Sequence, residues 1–427
     1  MLTKITNTNN HFTANNREIY KTLNKSTKLP LLFVKSQENL SSTRFIQNTV
    51  TNWIPKAIFA RSLADLGDLS FLEFFESGLF FFAPPLLGQY VARKGIFSKF
   101  LPKSQRKELD LHLTRSATDI LKDSKLLKSG ATKRLLPTKA AIVLSCACIP
   151  AAEYALSFAK NLFTLKVFKK SNFNNIANLN KQETETKAQQ DKVRNSAIKH
   201  LKNAGIFSGI MFGASLLLAG FGHKSKTAQK LSENILHPGL SIANGLEKFG
   251  IKSPKLKRFL DTYINTDFAS SNGKLALGKG QLAITTISGL FGYSAAAEDR
   301  GKLDKKEVWT RVPIVVLYTI FGSAAFDSAF KHILLNKNKY TDLIKKDKDG
   351  NIADIPTLKE LPELAQNIAK TKNTTVQKEL DRLVKEKATI TGVPYAFCLV
   401  FMGFVLAGIS RLWTQYRYNH SQQNKKA

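Results

Sequence analysis

The chain has 427 residues, enough for two or three ordinary domains, and carries 64 Lys and Arg against 32 Asp and Glu, a net charge of +32. A mean hydropathy of −0.17 excludes a chain made of little but spanning helices, and the basic balance points to anionic surfaces, either lipid headgroups or nucleic acid. The three cysteines, Cys146, Cys148 and Cys398, all sit in apolar runs, which excludes a disulfide framework, and the C-x-C pair has no nearby His or Cys to complete a zinc site.

Residues 1–65 are basic and free of acids up to Glu18, and their one apolar stretch, "LPLLFV", is too short for a secretory h-region. They read as a basic, largely disordered N-terminal arm. Residues 66–222 read as a first membrane-associated half with three apolar runs. The first, Phe71 to Ala92, has Glu73 and Glu76 at its front and Pro84-Pro85 in its middle. It reads as a segment that starts at an acidic interface and bends or turns back at the prolines. The second, Ala140 to Phe168, contains Glu153, and the third, Ala204 to Gly222, has no charge and no polar stripe.

Residues 223–279 read as a polar helical connector. Residues 280–412 read as a second half with three runs: Gly280 to Ala297, Val312 to Phe330 interrupted by Asp327, and Ala388 to Ser410. The last is 23 uncharged residues, and about 20 suffice to cross a hydrocarbon core. A polar insertion, 331–389, lies within this half, and 413–427 form a basic tail. Trp309, Trp413, Tyr416, Arg411 and Arg417 stand at run ends, where rings and cations gather at headgroup level.

Between the runs, "SQRKELDLHLTRSATDILKDSKLLKS" places Leu109, Leu113, Ile120 and Leu127 near helical spacing, and "TTVQKELDRLVKEKA" places Val376, Leu380, Leu383 and Val384 on one face. These predict amphipathic helices that lie on a membrane or pack on each other. Strand alternation is nearly absent, apart from a candidate hairpin in "DLIKKDKDGNIADI" with Asp349-Gly350 as its turn. The positive-inside rule gives no orientation: the loops 93–139, 223–279 and 331–389 carry thirteen, ten and thirteen Lys or Arg.

The expected fold class is therefore all-α: a multi-pass membrane helical bundle of about four to six apolar helices, with re-entrant segments as the alternative for some of them and basic amphipathic helices in the loops. Short likenesses between the halves (SGLF at Ser77 and Ser288, AAEYA against AAFDSA, LLLAGFG against FVLAGIS) suggest a three-plus-three inverted repeat, a plan many secondary transporters use.

The polar residues that matter most are the acids in the runs: Glu73, Glu76, Glu153 and Asp327. A carboxylate at mid-bilayer costs about 2.5–3.5 kcal/mol on insertion scales, so it should face the bundle, a water-filled cavity or the interface. The functional alternative for them is a proton or cation site; the plainer one is that the runs end before the acids. "GKLALGKG", Gly273 to Gly280, nearly matches a phosphate-binding loop, but Gly280 stands where the magnesium-holding hydroxyl belongs, and the stretch reads as a flexible lead-in. "KKDKDGNIADIP" lacks both anchor ligands of a calcium loop. The seven histidines are scattered, and no catalytic signature, cofactor motif or metal-ligand set is found.

These features predict an integral membrane protein with a structural or interaction role and anionic membrane lipids as partners, in a bacterial plasma membrane or, alternatively, an organelle membrane. One competing expectation is a small transporter or channel built on the repeat. The other is a soluble basic helical protein that binds nucleic acid, disfavoured because its cations are spread evenly without aromatic interleaving.

Overall fold

A computed structural model describes residues 20–38, 42–179, 184–271, 274–347, 350, 352–353 and 355–423. Among them the chain is nearly all helical. Twelve helices carry the argument: α1 Lys25–Glu38, α2 Ser42–Ile58, α3 Leu63–Phe81, α4 Thr132–Ser145, α5 Cys148–Phe168, α6 Lys187–Phe221, α7 Lys279–Arg300, α8 Lys302–Leu317, α9 Ser323–Asn336, α10 Leu361–Lys372, α11 Val376–Cys398 and α12 Leu406–Gln423. The chain divides into two compact units, a larger one (45–321 with 399–427) and a smaller one (1–44 with 322–398).

Helix α5 is the axis of the larger unit, with α3, α6 and α7 packed around it. It comes closest to α7 at two glycines: a Cβ on Gly292 would stand 2.2 Å from the Tyr154 carbonyl oxygen, and one on Gly289 would stand 2.8 Å from Oε1 of Glu153. Lys169, at φ 57°, ends α5 in the left-handed region. The connection that follows is clamped by Glu185, which accepts hydrogen bonds from the Ser171 and Asn172 amides and from Nδ2 of Asn175. Burial alone would raise the Glu185 pKa, but these bonds outweigh it and hold the carboxyl below its usual range. Helix α6, about 52 Å long at 1.5 Å per residue, then packs along both α5 and α4.

The main core gathers around α4, where Leu135, Ala140 and Ile142 are fully buried with Phe97, Leu113 and Ile120. The first amphipathic stretch packs Leu109, Leu113 and Ile120 into this core from three short helices, 106–112, 117–122 and 124–128. Leu126 takes the buried place expected for Leu127, which is exposed.

In the smaller unit, Leu380, Leu383 and Val384 of α11 close a core with Val34 of α1 and Leu361 and Ala365 of α10. Val376, expected on the same face, is largely exposed. Arg382 of α11 forks to Asp342 at 2.7 Å, Glu379 at 2.8 Å and Glu386 at 2.8 Å.

Five helical stretches among the described residues are long and apolar enough to cross a membrane: Leu63–Phe100, Thr132–Phe168, Lys187–Lys224, Lys302–Asn336 and Val376–Ser421. The most apolar windows of the last three are only 17% buried, whereas that of Thr132–Phe168 is 61% buried. Apolar side chains such as Ile206, Ile210, Leu217, Phe221, Ile409 and Leu412 face outward. The fourth expected run, now α7, is one unbroken helix of 22 residues, but its Gly, Thr and Ser content leaves it outside the five.

Several expectations are corrected. The chain does not turn back at Pro84-Pro85. These prolines open a π-helical stretch, Pro84–Ile96, and the Leu86 amide still donates to the Phe82 carbonyl at 2.9 Å. Proline is tolerated at the first turn of a helical segment, where its missing N–H costs little. The described part of the N-terminal arm is mostly helical, because Leu31 and Val34 have a core to enter; residues 1–19 and 39–41 lie outside the described residues. Ala269–Ser271 (β1) pairs antiparallel with Lys274–Ala276 (β2) where a flexible lead-in was expected, with residues 272 and 273 outside the described residues. Gly280 is there because a Cβ would stand 1.8 Å from the Asn265 carbonyl oxygen. Among the described residues the one expected hairpin is reduced to a single bridge, Lys346 with Ile352, with Gly350 at φ 79° and Asp349 outside the described residues.

The packing predicts a contrast between two glycines. Gly292→Ala forces the α5 backbone away and should cost about 1–3 kcal/mol or more. Gly209→Ala, with no heavy atom within 4 Å of its would-be Cβ, should be neutral or slightly stabilising. Denaturant titration of both variants in detergent checks this, and equal midpoints would contradict the α5–α7 contact.

Candidate functional site: buried charges along one helix

Helix α3 supplies most of the site. Ser62 caps it, its Oγ accepting from the Asp65 amide at 3.1 Å, so the helix begins about three turns before Glu73. The acids expected at an interfacial helix start thus lie inside the helix. Asp65, Asp68, Glu73 and Glu76 all fall within about 140° of arc at 100° per residue. That side faces α5 and its neighbours, and Asp65, Asp68 and Glu73 are buried.

The lower charges are fully matched. Nη1 of Arg300 at the end of α7 contacts both Asp68 oxygens, at 3.1 and 2.8 Å, and Oδ1 of Asn161 at 3.1 Å. Lys160 of α5 lies 3.2 Å from Asp68, and Thr164 donates to it. Nε of Arg300 lies 3.2 Å from Asp304 of α8, within ion-pair reach but poorly aligned for a hydrogen bond. One turn earlier, Arg61 holds Glu307 of α8 through two bonds, at 3.0 and 3.2 Å, and Asp65 at 3.2 Å. Arg411 of α12 reaches the same Asp65 oxygen at 3.0 Å and the Phe59 carbonyl. Arg411, expected among headgroup cations, is therefore an interior counter-charge. Trp413 remains exposed, with Arg417 stacked 4.9 Å above its ring.

The upper charges are unevenly matched. Lys56 of α2 pairs with Glu73. Tyr293 of α7, one turn from Gly289, donates its hydroxyl to Glu76 at 3.1 Å. Glu153 of α5 is 2% exposed, and its Oε2 has no hydrogen-bond partner. Glu73 and Glu76 both act electrostatically on Glu153 and on Tyr293. Three of the four acids singled out from the sequence thus come together from two separate apolar runs.

Asp327 is not one of this group: it belongs to α9 in the smaller unit, is partly exposed, and bonds Lys331 at 2.6 Å one helical turn away. Sequence reasoning missed Asp65, Asp68, Lys56, Lys160, Tyr293 and Arg300, and gave Arg411 a place at the headgroups. The first two were legible as an i, i+3, i+8, i+11 continuation of the acids in "ADLGDLSFLEFFE"; the cations gave no such signal. No three His, Cys, Asp or Glu side chains among the described residues form a group able to hold a metal ion. No protein-family model, curated protein or solved structure matches the chain.

Removing one member of a buried pair leaves the other charge uncompensated. Asp68→Asn, which strips Arg300 and Lys160 of their shared anion, should destabilise the larger unit by about 3–5 kcal/mol. Asp327→Asn, which removes a partly exposed i,i+4 pair, should cost about 0.3–0.5 kcal/mol. Unfolding titrations of the two variants separate these outcomes.

Proposed function

We propose that the protein is a multi-pass integral membrane protein with a structural or interaction role, seated in a bacterial plasma membrane and holding anionic lipid against its basic loops. The observation that carries this reading is the outward apolar surface: three long helical stretches leave most of their most apolar windows uncovered. Water would penalise that surface, and lipid does not. The interior supports a fixed framework, since the Asp68 and Asp65 networks tie five chain segments with opposed charges. The net charge of +32 supports attraction to an anionic leaflet, where each Lys or Arg near the surface contributes about 1 kcal/mol.

A second reading, a small proton- or cation-coupled transporter, is favoured by one observation: the gathering of Glu73, Glu76 and Glu153. Nothing comparable favours nucleic-acid binding.

Alkaline carbonate washing of membranes from expressing cells tests the proposal. The protein should stay in the pellet, and after detergent extraction it should bind phosphatidylglycerol vesicles more strongly than phosphatidylcholine vesicles. Release by carbonate would overturn membrane insertion, and equal binding to both vesicles would overturn the lipid partner.

A further inference from the structure

We infer that Glu153, with Glu76 and Glu73 beside it, forms a proton-binding site in which the Glu153 carboxyl carries one proton. Charge and geometry lead there. A buried carboxylate stays ionised only where cations or several donors answer it, and otherwise neutralises. Glu73 has Lys56, and Glu76 has the Tyr293 hydroxyl, with Arg311 of α8 acting on it from further away. Glu153 has neither: Oε2 is unpartnered, and the carboxyl packs against Gly289, which offers no side chain.

The helices packed on α5 bring no spare cation. From α3 it meets two acids, and from α7 a tyrosine already engaged with one of them. Helix α6 brings His200, which is bonded to the Tyr154 hydroxyl at 2.8 Å, while Lys199 and Lys202 are exposed. Lys139 of α4 is spent on Asp267 at 2.7 Å, and Lys160 of α5 itself on Asp68. Three carboxylates therefore share too few counter-charges for all to ionise. The least answered is Glu153, so the proton belongs there. Glycine at 289 lets the acid lie flat between the two helices, where a larger residue would displace it. The site goes beyond the structural role proposed above and does not depend on it, because it rests on burial within one compact unit.

Infrared spectroscopy of the full chain in vesicles of phosphatidylcholine and phosphatidylglycerol tests it. At neutral pH the spectrum should contain the carbonyl stretch of a protonated carboxylic acid, moved by deuterium exchange. The difference between the unsubstituted chain and Glu153→Gln should show the loss of one such band. Glutamine matches the neutral acid in shape, so this variant should keep its thermal midpoint. A spectrum unchanged by the substitution would overturn the assignment, whether the carboxyl is ionised or holds a metal cation.

Should the variant fail to fold, the unsubstituted chain still decides the matter. Dicyclohexylcarbodiimide adds to protonated carboxyls in apolar surroundings. Modification mapped to Glu153, and lost as the pH is raised, supports the site; modification absent from Glu153 at every pH overturns it.

Discussion

The larger unit depends on the charge triad of Asp68, Arg300 and Lys160. These groups sit on α3, α7 and α5 respectively, and none could be buried alone. Together they fix which faces of three helices meet. The net gain over a well-packed apolar core is small, since desolvation offsets most of the attraction. The consequence is specificity: a helix rotated or slipped by one turn would bury an unanswered charge. Asn161 accepts a further bond from Nη1 of Arg300, and Thr164 donates to Asp68.

From that triad outward the molecule sorts by solvent. Helix α5 packs against α3, α6 and α7, and its closest approach to α7 is at Gly289 and Gly292. Small residues let backbones approach where lipid supplies no hydrophobic drive between helices. The outer face of α6 is apolar and uncovered, which suits a hydrocarbon surround. The smaller unit follows a different rule, with a closed aliphatic core and charged side chains forked across its surface.

Much of this was legible in the sequence, in a way that depended on length. The runs at Ala204 and Ala388 are long and uninterrupted, so their helices followed from hydropathy alone. The role of Glu73, Glu76 and Glu153 was half legible: a carboxylate in an apolar run must find an interior place, but no single-chain pattern says which acids share it. Asp65 and Asp68 were missed because the first run was started at Phe71, although the helix starts at Leu63 under a Ser62 cap. Arg411 looked like a boundary cation because an arginine at a run's end reads the same whether it snorkels outward or turns in to a carboxylate. The Pro84-Pro85 pair suggested a turn, and a π-helical stretch absorbed it instead. In the N-terminal region composition outweighed a short apolar signal, and only a partner surface on α10 and α11 explains why Leu31 and Val34 form a helix there.

The claim on which the account rests is that the long helices flanking α5 and including it cross a bilayer. Single cysteines at Lys103, Thr184 and Ser253, with Cys146, Cys148 and Cys398 replaced, can be labelled in sealed vesicles with a membrane-impermeant maleimide. Thr132–Phe168 separates the first two positions and Lys187–Lys224 the last two. The account predicts that Lys103 and Ser253 label from one side and Thr184 from the other. Labelling of all three from the same side would contradict it.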